Sequence, residues 1–126
     1  MQAIVRDRYG SADVLRLCEV EVPDIGDEDV LVRVRAAGLD RGAWHLMAGL
    51  PYLLRAAGYG LRRPKVAGLG SELAGVVEAV GAKVTALAPG DAVFGTCSAA
   101  FADYASTEAD KLARMPANLS LSLIHI

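Results

Sequence analysis

The sequence predicts a mainly β fold, a barrel or sandwich carrying short helices, and three observations point to it. Val30, Val32 and Val34 alternate with Leu31, Arg33 and Arg35, the period of two expected of a strand with one buried face. Ala88-Pro89-Gly90-Asp91 joins two valine-rich runs and suits a type II turn, because proline sets φ at its second position and glycine takes positive φ at its third. Short apolar runs elsewhere are each bounded by Gly, Pro or Asp, the punctuation of hairpins and not of a helical bundle.

Taken in order, Gln2 to Arg6 reads as a strand, Tyr9-Gly10-Ser11 as a turn and Val14 to Val22 as a second strand. Pro23 to Asp27 is a turn-rich lead into the Val30–Arg35 strand. Arg41 to Ala48 breaks the pattern, with Trp44, Met47 and Ala48 at helical offsets, and Gly49-Leu50-Pro51 ends that helix. Tyr52 to Lys65 opens with the helix formers Leu53 to Ala57 and is stopped by Gly58 and Gly60, giving a short helix and a loop. Leu73 to Val80, Ala92 to Gly95, Ala100 to Ser106 and Lys111 to Met115 complete the strands.

A chain of 126 residues is one domain's worth. Apolar residues at 53% and a mean hydropathy of +0.32 are high for its size, so part of the apolar surface is expected to face a partner lobe. No apolar run is long enough to span a membrane, and MQAIVRDRYG lacks the basic start and apolar core of a signal peptide, so the expected compartment is the cytoplasm. The net charge is −2 and the basic residues are scattered apart from Arg62, Arg63 and Lys65, which excludes a nucleic-acid footprint. Cys18 and Cys97 supply neither a disulfide framework nor a four-cysteine zinc site and read as ordinary reduced thiols.

Gly70, Ser71, Glu72, Ala74, Gly75, Val77, Val80, Gly81, Gly90, Asp91 and Val93 together resemble the signature of the medium-chain dehydrogenase/reductase superfamily. AAGLDRGAWHLMAG followed by PYLLRAAGYGLRRPK is most similar to its zinc-independent, quinone-oxidoreductase-like branch. The resemblance spans residues 1–120 and implies a GroES-like, partly open β-barrel, the catalytic lobe of an NADP- or NAD-dependent enzyme. It also implies a Rossmann lobe missing from this chain, a quinone, enone or related carbonyl substrate, and a homodimeric parent. Gly68-Leu69-Gly70 is no substitute for a dinucleotide loop, because the third glycine of that motif falls on Leu73 and a strand follows. Leu121 to Ile126, LSLIHI, departs from the family pattern. It is one translation of CTGTCTCTTATACACATC, which resembles a transposon end used in sequencing libraries, so 121–126 is expected to be an adapter-derived tail.

The superfamily's zinc enzymes place a cysteine after the Val30-type strand and a His-Glu pair in the opening motif. Here Asp40 and Ser71 stand at the cysteine and histidine positions, which removes the ligands that favour zinc and predicts metal-free chemistry. Reducing a carbonyl compound without metal needs hydrogen-bond donors at the oxygen that gathers charge. Tyr52 matches a cleft tyrosine of quinone reductases and reads either as that donor or as a packing residue. Asp40, ionised, accepts and orients Arg41, His45 or a cofactor hydroxyl, while Arg41 matches an arginine that touches the cofactor pyrophosphate in relatives. His45 matches a proton-relay histidine of the zinc alcohol dehydrogenases, against the plainer reading of a structural histidine. Ser71 is expected to bond substrate or backbone, Glu72 to have a structural or cofactor-side role, and Trp44 to be a core or cleft-wall residue. The rival functions are a zinc-type alcohol dehydrogenase with altered ligands and a co-chaperonin-like barrel, since the fold is shared.

Overall fold

A computed structural model describes residues 1–39, 41–50 and 68–118, apart from the side chains of residues 41–43 and 46. The helix expected in Tyr52 to Lys65 and the tail expected at 121–126 lie outside the described residues. The strands are β1 (Gln2–Val5), β2 (Arg16–Glu19), β3 (Asp29–Ala37), β4 (Glu72–Val80), β5 (Ala92–Thr96), β6 (Tyr104–Glu108) and β7 (Leu112–Arg114). The helix α1 spans Arg41–Ala48, as its apolar spacing predicts. This is the mainly β, partly open GroES-like fold expected from the sequence.

Five strands form one antiparallel sheet in the order β6-β3-β4-β5-β7. Its two edges, β6 and β7, are consecutive in the chain and joined by the single 3-10 turn Ala109–Lys111, so the sheet must curl back on itself. Curvature is built into the central β3–β4 pair. Its register shifts between Leu31 and Val32 and again between Val34 and Ala36, leaving Glu78 and Arg35 as extra residues, and such bulges bend a strand and increase its twist. Across the curled sheet the Thr107 hydroxyl donates to the Thr96 carbonyl at 2.8 Å, bonding β6 to the end of β5.

Curling places Val30, Val32, Leu73, Val77, Val93, Ala100 and Ala105 around one core. Val30, Val32, Leu73 and Val93 are fully buried, each stabilising the fold by about 1.5–3 kcal/mol. Val34, the third valine of the alternating run, packs against this cluster from a partly buried position. Gly75 has no room for a side chain, since a Cβ there would lie 2.2 Å from the Arg33 carbonyl oxygen on the neighbouring strand.

The proline turn takes the expected form. Gly90 has φ +95° and the Asp91 N–H donates to the Ala88 carbonyl at 3.1 Å. The Asp91 carboxylate accepts from the Ala88 N–H at 2.9 Å and pairs with Arg114 at 3.4 Å, tying the turn to β7.

The β1–β2 hairpin forms a separate two-stranded sheet, attached through bridges from Ala3 to Ala102 and from Val5 to Gly68. Arg6, 4% exposed, reinforces that attachment by donating to the Gly68 carbonyl at 2.9 Å. Burial pushes its guanidinium down from the ordinary value, an effect Tyr9 partly opposes.

Two expected strands need correction. Val14 to Val22 divides into a 3-10 turn, Ala12–Val14, and the shorter strand β2. The strand expected at Ala100 to Ser106 begins instead at Tyr104, because Ala100 and Phe101 donate to the Gly70 and Leu69 carbonyls and so pack on the strand-free approach to β4. Among the described residues no helix is long and apolar enough to cross a membrane.

Two glycine substitutions separate packing from backbone conformation. Gly75→Ala is expected to destabilise the chain by about 3 kcal/mol through its collision with β3. Gly90→Ala, which meets nothing within 4 Å, is expected to cost about 1 kcal/mol through its positive φ alone. Urea unfolding of the two variants measures both; equal losses would contradict the packing argument.

Candidate functional site

One end of the curled sheet holds two of the residues singled out in the sequence, Ser71 and Glu72. There Ala37 pairs with Leu73, Glu72 with Thr96, and the Gly38 N–H donates to the Glu72 carbonyl at 3.1 Å. The Cys97 N–H donates to the Ser71 carbonyl at 3.0 Å. Three chain segments therefore meet: the corner leading from β3 into α1, the Ser71-Glu72 start of β4, and the Thr96-Cys97 end of β5. Ser71 and Glu72 are partly buried, with both carbonyls occupied by these bonds. Their backbone placement follows from β-pairing, so their position does not depend on what their side chains meet.

α1 is fixed chiefly at its C-terminal end. Gly49 closes it by donating to the His45 carbonyl at 2.8 Å, and the Gly10 N–H donates to the Met47 carbonyl at 3.0 Å. His45 is held within the same turn. Its Nδ1 lies 2.8 Å from the Leu50 carbonyl oxygen, which can only accept, so Nδ1 carries the proton. In the neutral ring Nε2 is then a bare acceptor. The Trp44 indole meets the imidazole edge-on, with centroids 5.1 Å apart and planes at 74°. Trp44 is 48% exposed, so it is not a core residue.

Asp40 and Tyr52 lie outside the described residues, as does the side chain of Arg41. Arg41 is nonetheless the first residue of α1, whose first turn carries no acidic residue. Among the described residues no three His, Cys, Asp or Glu side chains cluster as a metal site would require. Two features of the site escaped the sequence. The Leu50 carbonyl that sets the imidazole tautomer is a backbone group and carries no residue-type signal. Cys97, read as an ordinary thiol, lies beside Ser71 through the hydrogen bond between their main chains. Burial pushes its thiol up, partly opposed by a hydrogen bond from the Ala99 backbone, so at neutral pH the sulfur stays protonated and is a poor nucleophile.

A barrel of this topology, with a short helix leaving its central strand and Ser-Glu opening the next, can be compared with known proteins. The profile of the alcohol dehydrogenase GroES-like domain matches residues 26–117. The chain belongs to that family. Among curated proteins, this GroES-like domain is 32% identical to the quinone oxidoreductase of Mus musculus over 95% of the chain and 35% of that protein. It is 34% identical to the 2-methylene-furan-3-one reductase of Solanum lycopersicum over 90% of the chain and 30% of that protein. Among solved structures, the Escherichia coli quinone oxidoreductase complexed with NADPH superposes with a TM-score of 0.82 at 25% identity, over 96% of this chain and 35% of that one. The chain thus spans about a third of the length of the curated quinone oxidoreductases it matches.

Nitrogen-15 NMR of the imidazole tests the site's geometry. Neutral His45 is expected to show a protonated Nδ1 and an unprotonated Nε2; the opposite tautomer would break the Leu50 contact from which its orientation is derived.

Proposed function

We propose that this GroES-like domain is the substrate-side lobe of an NAD(P)H-dependent oxidoreductase that reduces a quinone, enone or related carbonyl compound without a metal ion. The observation that carries the reading is the meeting of the β3–α1 corner with the start of β4, set by the Gly38 to Glu72 hydrogen bond. In the superfamily's zinc enzymes a thiolate and an imidazole come from these two segments, and here the corresponding residues are Asp40 and Ser71. Relatives named for reducing quinones and a furanone, matched over at least nine-tenths of the chain, favour the enzyme over a chaperonin-like cap.

The nicotinamide cofactor, when bound, supplies the hydride. The chain's own residues bind, orient and move protons. Arg41 at the positive end of α1 is an unfavourable position for a lone cation and a favourable one for a cation facing pyrophosphate, so its role is to hold the cofactor's phosphates. Asp40 and Glu72, as acceptors, suit cofactor hydroxyls, and Ser71 suits either side of the cleft. The acceptor oxygen gathers negative charge as hydride reaches carbon, and the residues able to donate to it are Tyr52 and Ser71. His45 in its neutral form is not such a donor, because its one N–H is committed to Leu50. As a relay it takes a proton from solvent at Nε2 and passes it toward the acceptor oxygen, where it completes the reduction that hydride begins.

Alone, the chain is expected to oxidise no NADPH in the presence of 1,4-benzoquinone, since the cofactor needs a dinucleotide-binding lobe to be held in reach. A protein carrying this lobe together with such a second lobe is expected to reduce the quinone at a rate unchanged by EDTA. Tyr52→Phe is expected to lower its kcat by roughly 10²-fold. Activity that EDTA removes and zinc restores would overturn the metal-free reading.

A further inference from the structure

Arg6 is buried just past the end of β1, a setting in which arginine is rarely found. Removing a guanidinium from water is costly, and an apolar side chain of similar volume would fill the space at lower cost. An apolar side chain could not, however, bond a carbonyl. Arg6 Nη1 donates to the Gly68 carbonyl at 2.9 Å, and Val5 bridges to the same glycine. Leu69 and Gly70 come next and accept from the Phe101 and Ala100 amides, and Ser71 follows. Arg6 therefore fastens the exit of β1 to the approach to β4. On the other side of Arg6 the chain runs to Gly10, whose N–H donates to the Met47 carbonyl at 3.0 Å. Gly10 lies so close to the buried Val14 that a Cβ on it would collide with that side chain. The corner between Arg6 and Val14 is thus buried at both ends and presents one amide to α1. That amide bonds Met47 inside the turn bounded by His45 and Leu50, where the Gly49 N–H meets the His45 carbonyl and His45 Nδ1 meets the Leu50 carbonyl.

We propose that Arg6 is a positioning residue: by anchoring the corner that carries Gly10, it fixes the last turn of α1, and with it the His45 imidazole, relative to the approach to Ser71. The place of His45 and Ser71 in a catalytic cleft rests on the reductase reading, whereas the anchoring is a property of this chain and needs no turnover. Without the guanidinium the corner loses its hold on Gly68, and the Gly10 to Met47 bond opens more often. The β3–β4 pairing is untouched, since none of these residues takes part in it.

Native-state hydrogen exchange and nitrogen-15 NMR of the purified chain test this. Arg6→Met, which keeps a long side chain but no donor, is expected to speed exchange of the Gly10 amide about tenfold while Val77 keeps its protection. The same variant is expected to move the His45 ring nitrogens toward the signals of a mixed tautomer. Arg6→Lys, which can still donate to the Gly68 carbonyl, is expected to restore both readouts. An arginine with a merely structural role predicts otherwise: Arg6→Met unfolds at lower urea, yet Gly10 exchange and the His45 signals stay as in the native chain. That result would overturn the proposal. Should the methionine variant fail to fold, the unmodified chain decides. Its Gly10 amide and its Ile4 amide, which donates to Phe101 within the hairpin's attachment, are expected to exchange through one opening with the same urea dependence. A Gly10 amide that opens far more readily than Ile4 would overturn the proposal as well. The two readings fail separately: a two-lobed protein that reduces no quinone sinks the function and leaves the anchor standing, while unchanged Gly10 exchange in Arg6→Met sinks the anchor whatever the activity.

Discussion

The core and the placement of Ser71 and Glu72 both depend on the antiparallel pairing of β3 with β4. Among the described residues these are the two longest strands, and they carry Val30, Val32, Leu73 and Val77, the centre of the core. Their two bulges, at Glu78 and Arg35, turn a flat ladder into a curved one, so the outer strands can approach each other through a three-residue turn. The same pairing ends with Ala37 opposite Leu73 and Gly38 bonded to Glu72, which fixes where the chain leaves the sheet for α1. Core and site are consequences of one register, and a slip of one residue would turn the valines outward and part the corner from Ser71.

This arrangement explains how a short helix is held in place. Eight residues are too few for a helix to be stable by itself, and α1 is supported at both ends by other parts of the chain. The β3 corner determines where it starts, and Gly49, Gly10 and Leu50 determine how it ends and which way the imidazole is protonated. The site thus combines two kinds of support. Ser71 and Glu72 are placed by sheet pairing, while His45 and Trp44 are placed by a helix terminus and by each other.

Much of the fold was legible because its signals are local. Alternation at Val30 to Arg35 marked the central strand, helical offsets marked Arg41–Ala48 to the residue, and Pro89-Gly90 marked the turn that the structure contains. The errors came where tertiary hydrogen bonds override local preference. Ala100 and Phe101 have strand-forming neighbours but bond to Leu69 and Gly70, and Ala12–Val14 tightens into a 3-10 turn before β2 begins. The bulges could not be foreseen, since an unpaired residue is defined only by its partner strand. At the candidate site, residue types pointed to His45, Ser71 and Glu72, but the Leu50 carbonyl that sets the imidazole tautomer is invisible to any reading of side chains.

The central claim, that the β3–β4 pair and not the surrounding loops holds the corner of the site, is tested most directly by native-state hydrogen exchange at the Gly38 amide. Its hydrogen bond to the Glu72 carbonyl predicts protection comparable to that of the buried Val77 amide, which donates to the Asp91 carbonyl at the start of β5. Exchange of Gly38 through global unfolding, together with Val77, is the expected result. Exchange at the rate of an open loop while Val77 stays protected would contradict the account, because the corner would then move independently of the sheet.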